Sequence, residues 1–163
     1  MLKARLIGVV TVREGLAVQS FGFNKYLPLG DPVRLIENLD RWGADEIYVQ
    51  VIDRSKNNNG PDYALIDRIS KLSITTPLIY GGGIRCVSDG IQVIKMGADR
   101  LALNSMLIES LEEVRSLSEQ LGVQAILGVL PVRVNNGGLE YYDYRRSLVE
   151  ECPFQKLLES LEA

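Results

Sequence analysis

A short motif occurs twice in the chain, each time at the junction between a predicted helix and a predicted strand. Gly43-Ala44-Asp45-Glu46-Ile47 returns as Gly97-Ala98-Asp99-Arg100-Leu101. The two copies lie two strand–helix units apart, which indicates a duplicated βαβα module. Repeated alternation of strands and helices favours a parallel sheet covered by helices.

The remaining pattern agrees with this reading. Five apolar runs have the length of buried strands: 6–12, 46–52, 77–80, 100–103 and 123–130. Four helices are predicted between and after them, and they begin at Asp31-Pro32, Pro61-Asp62, Ser88-Asp89 and Glu109. Hairpins are expected at 15–23 and at 132–144, and a last helix over 147–163.

This order predicts an α/β fold of the (β/α)8 TIM-barrel, phosphate-binding type, here incomplete at about five βα units. We expect one partial barrel domain over residues 1–163. An open doubly wound sheet is the structural alternative. It is disfavoured because the first strand–helix turn lacks the glycine-rich dinucleotide fingerprint.

Composition excludes several classes of function. No apolar run approaches the roughly 18 residues of a membrane span, and a net charge of −3 without a long single-sign run argues against nucleic acid. Because the chain has no histidine, a Ser-His-Asp unit and histidine-ligated metals are impossible. Cys86 and Cys152 have no metal-site spacing, and no signal peptide is evident. We therefore expect a cytoplasmic protein with no metal and no cofactor.

An ordered set of segments carries a family resemblance. Its members, in chain order, are 1–7, Arg13-Glu14-Gly15, Gly30–Val33, Gly43–Glu46, Gly81–Arg85, Gly97–Asp99 and Asn104-Ser105. In this order and spacing the chain resembles the cyclase subunit of imidazole glycerol phosphate synthase, a barrel of histidine biosynthesis, over essentially its whole length. The resemblance implies a phosphorylated ribulosyl substrate at the carboxyl-terminal face of the barrel, and ammonia supplied through the barrel by a glutaminase partner.

The chain departs from that family at the catalytic positions. Thr11 stands where the resemblance implies an aspartate, Gln19 where it implies a lysine, and Leu130-Pro131 where it implies the second aspartate. Asp53 is then the one candidate for a general base, because threonine does not shuttle protons near neutral pH as a carboxylate does. The chain is also shorter than the roughly 250 residues of such barrels.

Two constellations are candidate sites. The resemblance implies that Gly82 and Gly83, with Asn104 and Ser105, bind a substrate phosphate, since glycines after a strand let main-chain N–H groups approach an anion. The alternative is a tight turn that needs positive φ.

The second constellation lies at the opposite face of the predicted barrel. Arg5, Glu46 and Arg100 stand at strand starts, where the resemblance implies a charged gate for ammonia. The alternative is a ring of charges that serves stability.

Three functions remain open at this point. The first is an ammonia-accepting synthase subunit, in histidine biosynthesis or in a related surface-sugar amidation. The second is a non-catalytic scaffold or activator of a glutaminase subunit, and the third is an inactive truncated barrel. We also expect a homo-oligomer, because open strand edges are an aggregation liability unless they are covered.

Overall fold

The computed structural model describes residues 4–22, 24–135, 138–143 and 148–151. Within them, the main sheet contains seven strands in the order β3-β2-β1-β4-β5-β6-β7. Their bounds are β1 Ile7–Arg13, β2 Leu16–Phe21, β3 Lys25–Gly30, β4 Glu46–Val51, β5 Leu78–Gly81, β6 Arg100–Leu103 and β7 Ile126–Gly128. The pairings between β1, β4, β5, β6 and β7 are all parallel, with Ile7 opposite Glu46 and Val12 opposite Val51.

Helices follow the parallel strands in chain order, so these strands and helices form part of a (β/α)8 barrel, as predicted. The helices are α1 Pro32–Arg41, α2 Tyr63–Ser70, α3 Val87–Lys95, α4 Ser105–Glu109 and α5 Leu111–Leu121. None of the described helices is long and apolar enough to cross a membrane.

The core lies between the helices and the outer face of the sheet. Strand residues such as Val49 and Leu101 pack there with Ile36 of α1, Ile66 of α2 and Leu117 of α5, all fully buried. Burying each of these aliphatic side chains stabilises the fold by about 1.5–3 kcal/mol. The opposite, concave face of the sheet is left for the site.

The first predicted helix start is confirmed. Asp31 Oδ1 accepts a hydrogen bond from the Val33 N–H at 3.0 Å, and Pro32 occupies the first turn. Gly43, with φ of 80°, follows the helix as predicted. The third start was misplaced by two residues: Cys86 is the N-terminal cap of α3, and Asp89 in the first turn reaches back to the Arg85 N–H at 3.1 Å.

Two predicted boundaries near the middle of the chain are wrong. The helix predicted over 109–121 is α5, which begins two residues later, and a short helix that was not predicted, α4, precedes it. The non-helical main chain at Ser110 (φ −152°) separates α4 from α5. The strand predicted over 123–130 begins with a 3-10 turn, Val123–Ala125, and only β7 is extended.

The predicted second hairpin is confirmed and belongs to a separate small sheet. It consists of β8 Val132–Asn135, β9 Gly138–Asp143 and β10 Leu148–Glu151, in the order β10-β9-β8. β10 contradicts the helix predicted over 147–163, since Leu148–Glu151 pair antiparallel with Glu140–Asp143. The rest of that predicted helix, 147 and 152–163, lies outside the described residues.

Candidate functional site

A cavity of about 360 Å³ lies at the carboxyl ends of the parallel strands. Two β hairpins also contribute, β2–β3 through Ser20 and Tyr26, and β8–β9 through Tyr142. The side chains and main chain that line it belong to Thr11, Ser20, Tyr26, Tyr48, Gln50, Val51, Ile52, Ser55, Lys56, Gly81, Gly82, Gly83, Ile84, Ala102, Leu103, Asn104, Ser105, Val129, Pro131 and Tyr142. Ligands of α/β barrels bind at this end of the strands.

The lining of the cavity is mostly apolar, with a few polar groups and almost no charge. Among the described residues, Lys56 is the one charged side chain of the cavity, and no carboxylate lines it. Hydroxyl and amide groups supply the remaining polarity. The one described charge is therefore positive, and proton transfer by a carboxylate has no group in place among the described lining residues.

The glycine turn after β5 is packed tightly against its neighbours. Gly82 and Gly83 have φ of 129° and 75°, conformations that side chains rarely adopt. A Cβ atom on Gly82 would lie 2.3 Å from the Val51 carbonyl oxygen, and one on Gly83 would lie 2.5 Å from that of Gly60. The turn therefore needs glycine for its own packing, and it also presents main chain to the cavity.

Strand β5 is supported from behind by a buried tyrosine. The Tyr80 hydroxyl accepts a hydrogen bond from the Asp62 N–H at 2.7 Å, at the start of α2. Burial raises the pKa of Tyr80 well above its usual range, so this hydroxyl stays protonated at neutral pH. The bond fixes the strand that carries the glycine turn relative to α2.

Asn104 and Ser105 line the cavity beside the glycine turn, as predicted from sequence order. The Asn104 side chain also forms hydrogen bonds to two other segments. Its Nδ2 donates to the Val129 carbonyl at 2.6 Å, and its Oδ1 accepts from the Tyr141 hydroxyl at 3.4 Å. Asn104 thus connects β6 to the segment after β7 and to the small sheet. Ser105 is buried at the first residue of α4.

The four positions discussed for catalysis lie in different places. Of the pair Leu130-Pro131, Pro131 lines the cavity. Thr11 lines the cavity, opposite Gln50 in the β1–β4 ladder. Gln19 is exposed on β2 and does not line the cavity. Asp53 does not line it either: its Oδ2 accepts the Glu14 N–H at 2.9 Å, and its Oδ1 is buried without a hydrogen-bond partner. Asp53 therefore secures the turn between β1 and β2, a position that does not favour its role as a general base.

Arg5, Glu46 and Arg100 meet at the opposite, amino-terminal end of the strands. Glu46 is 4% exposed. Its Oε1 lies 2.7 Å from Arg5 Nη1, and its Oε2 lies 3.1 Å from Arg100 Nη1. Arg100 also donates from Nε to the Gln124 carbonyl at 2.9 Å. We call these three residues the charged cluster; the carboxylate keeps two guanidinium groups together at one end of the sheet.

Several cavity residues were not singled out from the sequence. Tyr48 and Gln50 alternate with Ile47 and Val49, which pack in the core. This alternation on β4 was the available signal, since successive strand residues point to opposite faces. Tyr26 gave no such signal, because it reaches the cavity only through the hairpin pairing. There the centroid of its ring lies 4.4 Å from the Arg13 guanidinium carbon.

The tyrosines of the second hairpin divide between two environments. Alternation along this hairpin predicts Tyr142 and Tyr144 on one face, with packing over the barrel rim rather than ligand stacking. Tyr141 is buried, whereas Tyr142 lines the cavity. Tyr144 lies outside the described residues.

Comparison with known proteins decides the family. The sequence profile described as "Histidine biosynthesis protein" matches residues 5–147. The chain belongs to the histidine biosynthesis protein family. This membership confirms the resemblance inferred from the ordered motifs and agrees with the barrel architecture of the described strands.

Several curated members of the family are similar to the chain. The protein named imidazole glycerol phosphate synthase subunit HisF from Alkaliphilus metalliredigens is 33% identical, over 99% of this chain and 69% of its own length. The HisF subunit of an Exiguobacterium species is 33% identical over 88% of this chain and 55% of its own length. That of Natranaerobius thermophilus is 30% identical over 87% and 56%.

The chain spans about half to two thirds of the length of the curated relatives it matches. This family member carries polar groups at both ends of its parallel strands. The cavity lies at the carboxyl ends and the charged cluster at the amino ends.

Proposed function

We propose that this chain acts as an imidazole glycerol phosphate synthase cyclase-type subunit. In this role it binds a phosphorylated small-molecule substrate and accepts ammonia from a glutaminase partner. The pathway is histidine biosynthesis or a related surface-sugar amidation. Family membership supports the general role, and the geometry of the cavity supports the binding step.

The observation that carries the proposal is the composition of the cavity wall. Gly82 and Gly83 bring main chain to the cavity, Asn104 and Ser105 stand on the neighbouring strand end, and Lys56 supplies the one cationic side chain among the described lining residues. Main-chain turns of this kind, with hydroxyl groups and a lysine, are favourable surroundings for a phosphate group. We assign phosphate binding to these four turn and strand-end residues.

The amino-terminal end of the strands supports the proposal of a glutaminase partner. Three large apolar side chains are exposed there, near the charged cluster: Leu6, Trp42 and Val123. Trp42 is 74% exposed, although tryptophan is usually largely buried and is enriched in protein interfaces. We propose that the glutaminase docks on this end and that the charged cluster lies on the path of the ammonia.

The concave face of β1 supports self-association. Ile7 and Val9 lie on the same face of the strand as Thr11, and both are substantially exposed. β1 pairs with β2 only at Val12 and Arg13, so its first residues have an open edge in the described sheet, and an exposed apolar strand with an open edge favours association with another chain. We propose that the protein is a homo-oligomer in which this face is covered.

A second function is favoured by the missing carboxylates. Thr11 lines the cavity at the position where the family resemblance implies an aspartate, and Asp53 is bonded to the Glu14 N–H. A chain that binds a phosphorylated ligand without an acid–base carboxylate suits an activator of a glutaminase, with ammonia passing to a separate enzyme. We keep this as the alternative.

Co-expression with a class I glutaminase tests the proposal. We measure glutamate release from glutamine, and separately the cyclised product formed from the phosphorylated ribulosyl substrate of the family. Stimulated hydrolysis together with product supports the synthase role. Stimulated hydrolysis without product supports the activator role, and an unstimulated glutaminase without product contradicts both.

The charged cluster has its own test in the same assay. Glu46→Ala removes the carboxylate that holds Arg5 and Arg100, so we expect the stimulation of glutamine hydrolysis to fall. Glu37→Ala, which breaks the exposed pair with Arg34 on α1, is the control. If Glu46→Ala leaves partner activation untouched, the cluster has no role in ammonia transfer.

A further inference from the structure

The loop between β4 and α2 forms one wall of the cavity, through Ser55 and Lys56. Ser55 is joined directly to the glycine turn, because its Oγ accepts the Gly83 N–H at 3.2 Å. The serine hydroxyl and the glycine turn therefore act as one surface.

This loop is held in place by side chains that reach its own carbonyl groups. Arg54 donates from Nε to the Gly60 carbonyl at 2.7 Å and from Nη2 to that of Pro61 at 3.1 Å. Arg85, just after the glycine turn, donates to the Asn58 carbonyl at 3.0 Å. Both arginines thus have a structural task, and the hydroxyl of Ser55 stays in a fixed place at low entropic cost.

The bonding capacity of Ser55 is only partly used. A hydroxyl has one donor hydrogen and two acceptor lone pairs. The Gly83 N–H occupies one lone pair, and no described residue accepts the hydroxyl hydrogen. The donor is therefore available to an acceptor in the cavity, and a phosphate oxygen is a strong one.

The ammonium group of Lys56, the next residue, is also available to a ligand. Lys56 lines the cavity, is exposed at its rim, and forms no ion pair with a described carboxylate. A lysine carries a mobile point charge with three donors, suited to reaching an anion without a fixed geometry. No carboxylate among the described lining residues competes for it.

We propose that Ser55 and Lys56 are anion-binding residues of this cavity, with Ser55 as the oriented donor and Lys56 as the pairing charge for the phosphate at the glycine turn. The inference rests on the proposed phosphate site. It adds a third segment, the β4–α2 loop, to the glycine turn and the Asn104-Ser105 strand end.

Titration calorimetry with ribose 5-phosphate at low salt tests the inference. A lost hydrogen bond to a charged group weakens binding about tenfold or more, which we expect for Ser55→Ala. Ser55→Thr keeps the hydroxyl and should bind within about twofold of the original chain. Ser73→Ala, an exposed serine before β5 at the opposite end of the strands, is the matched control.

Lys56 is tested by charge and by salt. Lys56→Gln should weaken binding by about threefold at low salt, and the difference should vanish at high salt because exposed charges are screened. Lys56→Arg should keep the affinity. Lys95→Gln makes the same charge change at an exposed position near the end of α3, at the far end of the strands, and should have no effect.

Amide chemical shifts of Gly82 and Gly83 separate the two possible failures. If ribose 5-phosphate binds the original chain and moves these amides, but Ser55→Ala and Lys56→Gln bind like their controls, this inference is wrong and the phosphate site stands. If the original chain neither binds nor shows these shifts, the phosphate site itself is wrong. Should Ser55→Ala lose its fold, the exposed Lys56 pair of variants decides the question.

Discussion

Glu46 and Arg100 occupy the same position in the two copies of the Gly-Ala-Asp motif, and their side chains form an ion pair with 3.1 Å between Nη1 and Oε2. The aspartates that precede them are equivalent too. Asp45 Oδ2 accepts the Leu6 N–H and Asp99 Oδ2 accepts the Leu78 N–H, each at 2.7 Å. The two copies thus share their main-chain bonding, whereas the next residue has opposite charge in each and links them.

The first prediction concerns the stability of the charged cluster. Glu46→Gln should lower the free energy of unfolding by about 2 kcal/mol, because it leaves two guanidinium groups facing each other without a buried carboxylate. The effect is below that of a fully buried pair since the Arg5 side chain is 67% exposed. Urea unfolding measures it.

Glu37→Gln is the matched control for that prediction. It breaks the exposed pair with Arg34 on α1 and should change the free energy of unfolding by less than about 0.5 kcal/mol. Equal losses for the two variants contradict a stabilising role for the cluster.

The second prediction concerns the glycine turn. Gly82→Ala should destabilise the protein by several kcal/mol, because the added Cβ lies 2.3 Å from the Val51 carbonyl oxygen at a φ of 129°. Gly15→Ala, at positive φ but in open space, should cost about 1 kcal/mol. Thermal unfolding of the two variants checks the difference, and a Gly82→Ala protein as stable as Gly15→Ala contradicts the close packing.

A third prediction follows from the position of Asp53. Asp53→Ala should cost about 1 kcal/mol because the Glu14 N–H loses its acceptor. Asp53→Asn keeps an acceptor and removes the charge from the side chain whose Oδ1 is buried without a partner, so it should be neutral or stabilising. If Asp53→Asn is as unstable as Asp53→Ala, a charge-dependent role for Asp53 has been overlooked. Urea unfolding distinguishes these cases.

The fourth prediction concerns acid stability. Hydrogen bonds from the Thr76 side chain and from the Thr75 and Thr76 N–H groups lower the pKa of Asp40 below its usual value. A lowered folded-state pKa means that this stability is present above pH 4, near the unfolded pKa, and is lost as pH falls through the folded one. Asp40→Asn should therefore flatten the decline in unfolding temperature below about pH 4. An unchanged decline contradicts the assignment.

The barrel architecture was predictable because its signals are local. Strand length, β-branched composition and the Asp31-Pro32 start are properties of neighbouring residues, and the duplicated motif marks two equivalent junctions. The convergence of Arg5, Glu46 and Arg100 also followed, since strand starts in a barrel meet at one end.

The wrong secondary-structure predictions lie where a segment's structure depends on a partner distant in the sequence. Leu148–Glu151 pair with β9 instead of forming a helix, and nothing in their own sequence specifies that partner. Asp53 lies away from the cavity for another reason. It continues the odd-numbered face of β4, where Ile47 and Val49 pack in the core, whereas Tyr48 and Gln50 face the cavity. Alternation along the strand, carried two residues further, favours the observed position.

The central claim is that the cavity binds a phosphorylated ligand at the glycine turn. An amide chemical-shift titration of the intact chain with ribose 5-phosphate tests it most directly. We predict saturable shifts at Gly82, Gly83 and Ser105, with none at Glu46 and Arg100 on the opposite end. Absence of saturable shifts at the glycine turn, or shifts confined to the opposite end, would contradict the account.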